Sequence, residues 1–205
     1  ILVKALMVAT ALTAPWAALA VANLLLLGAL LLVYEYAITL GWSPRDAILT
    51  TAFILLAPQA YMFSTAYSES TFLFFLAAAM LAFRKERFVL SAAACAILSA
   101  TRPPGLLLAV FFLQQIVQRY GWNGACRFWR QPAVYLPLAA LPLGLFGYMW
   151  FAYAQTGDAF IHSTVVSHGW GYVPDWPWRN ALAHLASGDP ARIFLFTLSG
   201  VYAWC

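Results

Sequence analysis

Charge is scarce in this chain. Only 9% of its 205 residues are Asp, Glu, Lys or Arg, with 11 basic and 7 acidic side chains. A soluble domain carries about 25%, so the composition speaks against a water-facing globular surface. The formal charge of +4 contains no long basic run, which argues against a nucleic-acid partner. Cysteine is equally sparse. Cys95, Cys126 and Cys205 show neither disulfide nor metal-ligand spacing, so free thiols and no structural bridge are expected. No phosphate-cradling glycine loop, Rossmann fingerprint or nucleophile elbow occurs. Their absence speaks against a nucleotide-sugar enzyme with a soluble catalytic fold and against an ATP-driven transporter half. Strand alternation is missing too, which argues against a β-barrel.

What remains is apolar, at 64% of residues. A helix crossing the hydrocarbon needs roughly 20 apolar residues, and residues 17–40 meet that length. The later apolar stretches, 47–63, 72–83, 88–100, 106–117 and 133–154, are mostly shorter. They fit helices whose ends are surrounded by protein. Residues 1–14 and 191–205 supply two partial helices. The expected fold is all-α, a polytopic transmembrane helical bundle forming one domain over residues 1–205. Both ends run into apolar stretches, which predicts a piece of a larger polytopic protein.

Basic residues set the expected orientation. Arg45, then Arg84, Lys85 and Arg87, then Arg119, Arg127 and Arg130 fall in alternate loops. The positive-inside bias places these loops in the cytoplasm. Residues 64–71, Thr101–Gly105 and a loop at 155–190 then face outward, to the periplasm or the lumen of the endoplasmic reticulum. Trp42, Trp122 and Trp129 would mark the inner interface, and Trp16 and Trp150 the outer one.

Three polar constellations interrupt the apolar background. In the first, Ser64-Thr65-Ala66-Tyr67-Ser68-Glu69-Ser70-Thr71, a carboxylate stands among hydroxyls. Such groups at membrane depth need partners or a task. Ser68 fits an N-cap with Glu69 in the first helical turn, where the macrodipole favours an anion. The same residues also fit a polar cavity wall that binds sugar hydroxyls or a cation. In the second, Arg102 precedes Pro103-Pro104-Gly105, which turns it away from helix. It is either an interfacial arginine reaching for headgroups or a phosphate clamp, since a guanidinium matches phosphate oxygens in pairs. Glu69 lies fifteen residues before Arg84 and Arg102 fifteen after Arg87. At 1.5 Å per residue a hairpin sets both about 22 Å above one cytoplasmic turn, which predicts that the two line one outward pocket.

The third constellation is Gly157-Asp158-Ala159-Phe160-Ile161-His162, continuing to His168-Gly169-Trp170-Gly171. Asp158, His162 and His168 make a weak metal pattern; Asp158 fits better as the cap of a short interfacial helix. Trp170, Trp176 and Trp178 fit a membrane surface or a stack on sugar rings. Glu35, between two tyrosines, reads as an interfacial carboxylate.

Pro58, Phe63-Ser64 and Ala66-Tyr67-Ser68-Glu69-Ser70 together resemble the proline-to-YSES stretch of the PIG-V family, the GPI mannosyltransferase 2 group and its bacterial relatives. Ala100-Thr101-Arg102 with Gly105 is similar to that family's ATR turn, and Ala20-Val21-Ala22-Asn23 to a helix ending in SN. Gly157-Asp158-Ala159-Phe160 with Trp170-Gly171 is similar to its outward loop. The resemblance covers roughly residues 17–180. It implies a GT-C type membrane glycosyltransferase that takes mannose from a polyprenyl or dolichyl phosphate carrier. The acceptor, a glycan, lipid or protein, would be met on the outer or lumenal face. Tyr67, Ser68, Glu69, Ser70, Arg102, Asp158 and Trp170 are the candidate substrate-binding residues, and no metal or other cofactor is expected. Its catalytic acidic residue belongs to a first outward loop, and no Trp-Asp pair precedes residue 17, so that residue is expected upstream. The competing readings are a transporter or flippase for a lipid-linked or small polar substrate, and a non-catalytic subunit of a membrane assembly.

Overall fold

A computed structural model describes residues 2–57, 60–125, 132–161, 163–165, 186 and 188. Every regular element among them is helical. In chain order these are α1 (Leu2–Thr10), α2 (Ala14–Thr39), α3 (Pro44–Leu56), α4 (Tyr61–Ser64), α5 (Glu69–Arg84), α6 (Phe88–Thr101), α7 (Leu108–Ala125) and α8 (Leu136–Thr156). Short 3-10 turns at Pro103–Leu107 and Pro132–Tyr135 lead into α7 and α8. The chain divides into two compact units, Ile1–Phe151 and Ala152–Cys205.

Local chemistry fixes the helix ends. The α2 helix has Pro15 in its first turn and closes on Gly41, whose φ of 86° no side chain obstructs. Gly41 N–H donates to Ile38 O and Trp42 N–H to Ala37 O, a Schellman closure. The next helix starts at once. Ser43 accepts from Asp46 N–H at 3.2 Å and donates to the Asp46 carboxylate at 2.6 Å, with Pro44 in the first turn. The end of α5 repeats the closure without glycine. Glu86 takes φ 60° while Arg87 N–H reaches Ala82 O at 2.8 Å.

The 47–63 stretch does not form one helix. Ala57, held by the following proline at φ −59° and ψ 138°, ends α3, and α4 is a separate turn of four residues. Among the described residues two elements are long and apolar enough to cross a membrane, Ala14–Thr39 and Pro132–Thr156. At 1.5 Å per residue α5 and α6 span only about 24 and 21 Å. The segment 191–205, together with Cys126, Arg127, Trp129, Arg130, Trp176 and Trp178, lies outside the described residues.

The core of the first unit forms where α5, α6, α7 and the first part of α8 meet, while α2 packs along α5. Phe112, Leu98, Ile116, Leu141 and Cys95 are almost fully buried. Small residues line the closest approaches: Ala17, Ala22 and Ala29 on α2, and Ala77, Ala79 and Ala82 on α5. Gly28 faces the Phe74 ring so closely that a Cβ would stand 2.7 Å from it. Gly144 meets the Ala96 carbonyl, where a Cβ would come to 2.0 Å. Inside this core Ser91 donates to Ala79 O at 2.8 Å and ties α6 to α5. The outside is apolar: Leu24, Leu31, Phe53, Leu107, Val110 and Leu143 are all more than 60% exposed.

Candidate functional site

Polar contacts between helices gather at two levels of the first unit. At one level Lys85 reaches the Glu35 carboxylate at 2.7 Å, Arg84 approaches Thr39 O at 3.5 Å, and Arg119 pairs with Glu86. The Glu86 hydrogen bond raises the Arg119 guanidinium above its already high usual value. Glu35 therefore links α2 to the end of α5, a partner that its sequence context did not indicate. Arg84, Lys85, Arg87 and Arg119, on separate loops in sequence, share this level.

The second level holds the sequence's first two constellations together. Arg102 Nη2 donates to Glu69 Oε1 at 2.7 Å, and Arg102 Nε donates to Ser68 Oγ at 3.1 Å. Two local rules build this contact. Pro103 forces Arg102 into extended backbone, φ −152° and ψ 132°, so its side chain leaves the α6 axis. The turn at Ala66–Ser68 starts α5 with Ser68 in the N-cap position and Glu69 in its first turn. Ser68 makes no side-chain cap; its hydroxyl accepts from Arg102.

Burial across the pair is uneven. The Glu69 side chain is 16% exposed and that of Arg102 43%. Glu69 Oε2 is buried and has no hydrogen-bond partner among the described residues. A carboxylate oxygen out of water with no donor costs about 1–3 kcal/mol or more, so it is an acceptor awaiting a donor. The Arg102 guanidinium keeps an accessible face.

The neighbouring polar residues divide by role. Tyr67 is half-exposed. Ser70 is fully buried and donates to Phe63 O, which fastens α5 to the α4 turn; its hydroxyl is committed inside the protein. Asn23 supplies a link that the sequence marked only through its resemblance. Its amide donates to Leu19 O and, at 3.3 Å, to Ser64 O, joining α2 to the polar run. A cavity of about 850 Å³ lies between α1, α2, α5, α6 and α8. Tyr67, Thr71 and Thr101 give it polar points in a wall otherwise made by residues such as Val21, Ile97 and Phe151. Tyr67 and Thr101 are the sequence neighbours of Ser68 and Arg102.

In the second unit Asp158 acts as a local cap. Its Oδ1 accepts from Phe160 N–H at 2.8 Å and its Oδ2 from Thr164 Oγ1 at 3.1 Å. Trp170, His162 and His168 lie outside the described residues. No group of three His, Cys, Asp or Glu side chains assembles among the described residues. No family model, no curated protein and no solved structure matches this chain.

Proposed function

We propose that this chain is the membrane-embedded part of a glycosyltransferase that uses a sugar carried on a lipid phosphate, with Arg102 as the phosphate clamp. The observation that carries the proposal is the Arg102 site. A guanidinium with an accessible face is held by Glu69 Oε1 and Ser68 Oγ, next in sequence to residues lining an 850 Å³ apolar cavity. An isoprenoid tail needs an apolar channel, and its phosphate needs a paired donor at the channel's end. Glu69 and Ser68 hold the guanidinium in place, and its remaining N–H groups are left for the phosphate. The buried Glu69 Oε2 offers an acceptor to a sugar hydroxyl. Mannose as the sugar follows from the PIG-V resemblance.

The membrane reading rests on the exterior. Apart from Asn23 near one end and Glu35 near the other, α2 is apolar on every face, as expected of a helix facing lipid, and its exposed surface carries Leu24, Leu27 and Leu31. Trp16 and Trp42, both exposed, flank its two ends as interfacial belts do. The shorter α5, α6 and α7 complete a multi-pass bundle. Arg84, Lys85, Arg87 and Arg119 put the end of α5 in the cytoplasm. The Arg102 site then faces outward, to the periplasm of a bacterial inner membrane or the lumen of the endoplasmic reticulum. Asn23, at the level of the polar run, is seven residues along α2 from Trp16. The site therefore sits about 10 Å below the outer interface, at the depth of a lipid phosphate drawn into a cleft.

Binding tests the proposal. The full-length protein in detergent is titrated with polyprenyl phosphate and with the corresponding polyprenol. The proposal requires the phosphate to bind at least tenfold more tightly, with Arg102→Ala removing the difference. Equal binding of the two lipids, or an unchanged preference in Arg102→Ala, overturns it.

A further inference from the structure

A second groove lies at the other level of the first unit, on the lipid side of α2, α5 and α6. Its volume is about 410 Å³. Leu32 and Phe74 form one flank and Leu90 and Ile97 the other, while the alanines of α5 and α6, among them Ala78 and Ala93, leave a shallow floor. The groove exists because small side chains face each other where larger ones would fill the gap. Lys85 and Arg87 stand at one end of it.

The two cations differ in state. Lys85 is already neutralised by Glu35 at 2.7 Å. Arg87 is exposed, and its side chain forms no ion pair or hydrogen bond among the described residues. The groove therefore ends in one uncompensated positive charge. Its length is also informative. From Arg87 to Ile97 is ten residues of α6, or about 15 Å. That is half of the roughly 30 Å hydrocarbon core, the depth of one leaflet.

We infer that this groove is a binding site for one anionic glycerophospholipid of the cytoplasmic leaflet, with its phosphate on Arg87 and one acyl chain along α5 and α6. A zwitterionic lipid fills the apolar trough equally well but brings its own cation to Arg87. An anionic headgroup does not, and each uncompensated cation near the surface favours it by about fivefold. Glu35 tunes the site, because it withholds Lys85 from the headgroup. The inference rests on the membrane placement given above and not on the transferase reading, so binding data decide it whatever a sugar-transfer assay returns.

The experiment is native mass spectrometry of the full-length protein released from detergent, with phosphatidylglycerol and phosphatidylcholine of matched chains added in equal amounts. The wild type should retain one phosphatidylglycerol at about fivefold excess over phosphatidylcholine. Arg87→Gln, at an exposed position, should bring the ratio to about one. Glu35→Gln should raise it severalfold by freeing Lys85, a gain that a damaged fold does not produce. Ala93→Phe, also exposed, should displace both lipids by filling the trough. Equal retention of the two lipids by the wild type overturns the inference. So does an unchanged ratio in Arg87→Gln or in Glu35→Gln, or complete displacement of phosphatidylglycerol by millimolar inorganic phosphate, which would mark an anion site without a lipid groove.

Discussion

Two glycines of α8, three residues apart, make opposite predictions for the same substitution. At Gly144 an alanine Cβ would stand 2.0 Å from the Ala96 carbonyl oxygen and 2.3 Å from Ser99 Oγ. The serine can rotate, but the carbonyl belongs to the α6 backbone, so the helices must separate by about 1 Å to restore contact distance. Overpacking of this kind costs about 1–3 kcal/mol. Against it stands the gain from replacing a mid-helix glycine by alanine, up to about 1 kcal/mol. With that gain taken in full, Gly144→Ala should lose up to about 2 kcal/mol net. At Gly147 a Cβ meets nothing within 4 Å, so Gly147→Ala keeps only the gain. The propensity contribution cancels between the two variants, and their difference, about 1–3 kcal/mol, isolates the close approach of α6 and α8. The assay is reversible unfolding of the purified protein in mixed micelles, with both variants measured against wild type. Equal stability of the two variants would refute the helix crossing described here.

Four further outcomes follow. A cysteine at Glu86 should resist an impermeant thiol reagent in intact cells while one at Ser167 reacts, on a background lacking the native cysteines; the reverse pattern would invert the topology. Phe112→Ala, at a fully buried core position, should cost about 3–5 kcal/mol in the same unfolding assay; a loss below 1 kcal/mol would contradict the packing. Ser91→Ala should cost about 1 kcal/mol by removing the α6 donor to Ala79 O, and an unchanged midpoint would show that this link adds nothing. Gly147→Leu should keep the protein folded yet weaken polyprenyl phosphate binding about tenfold, because the side chain grows into the 850 Å³ cavity; unaltered binding would separate the cavity from the lipid tail.

Helix rise is the part of the site that sequence carries well. Counting fifteen residues from each side of one turn set Glu69 and Arg102 at equal height, because every helical residue advances by the same 1.5 Å. Their contact needed more. It depends on which way each helix faces, and an almost uniformly apolar sequence leaves that angle undetermined. Pro103 fixed the backbone of Arg102, as its position before the proline indicated, yet the choice of Ser68 Oγ as partner came from the turn geometry. Ser68 illustrates the difference: its N-cap position was legible, but its hydroxyl serves the arginine instead of the helix end. Ser70 looked equivalent to Ser68 in sequence and is buried on Phe63 O, because helical rotation turns it inward. The break between α3 and α4 was written in Pro58, but the apolar residues on both sides of it read as one stretch. Gly144 and Gly147 were indistinguishable in the sequence, since only the neighbouring helix tells them apart.

The central claim is that the Arg102 guanidinium stabilises charge on a lipid-linked phosphate as the sugar leaves. Its most direct test is transfer of radiolabelled mannose from polyprenyl phosphate mannose by membranes containing the full-length protein, at matched protein levels. A guanidinium already held by Glu69 and Ser68 needs no reorganisation as negative charge grows, so its loss should cost on the order of 3 kcal/mol. Arg102→Ala should then lower the turnover about a hundredfold, and Arg102→Lys should recover only part of it, because an ammonium does not make the paired contact. Wild-type turnover in Arg102→Ala would contradict the account and leave Arg102 as an interfacial anchor.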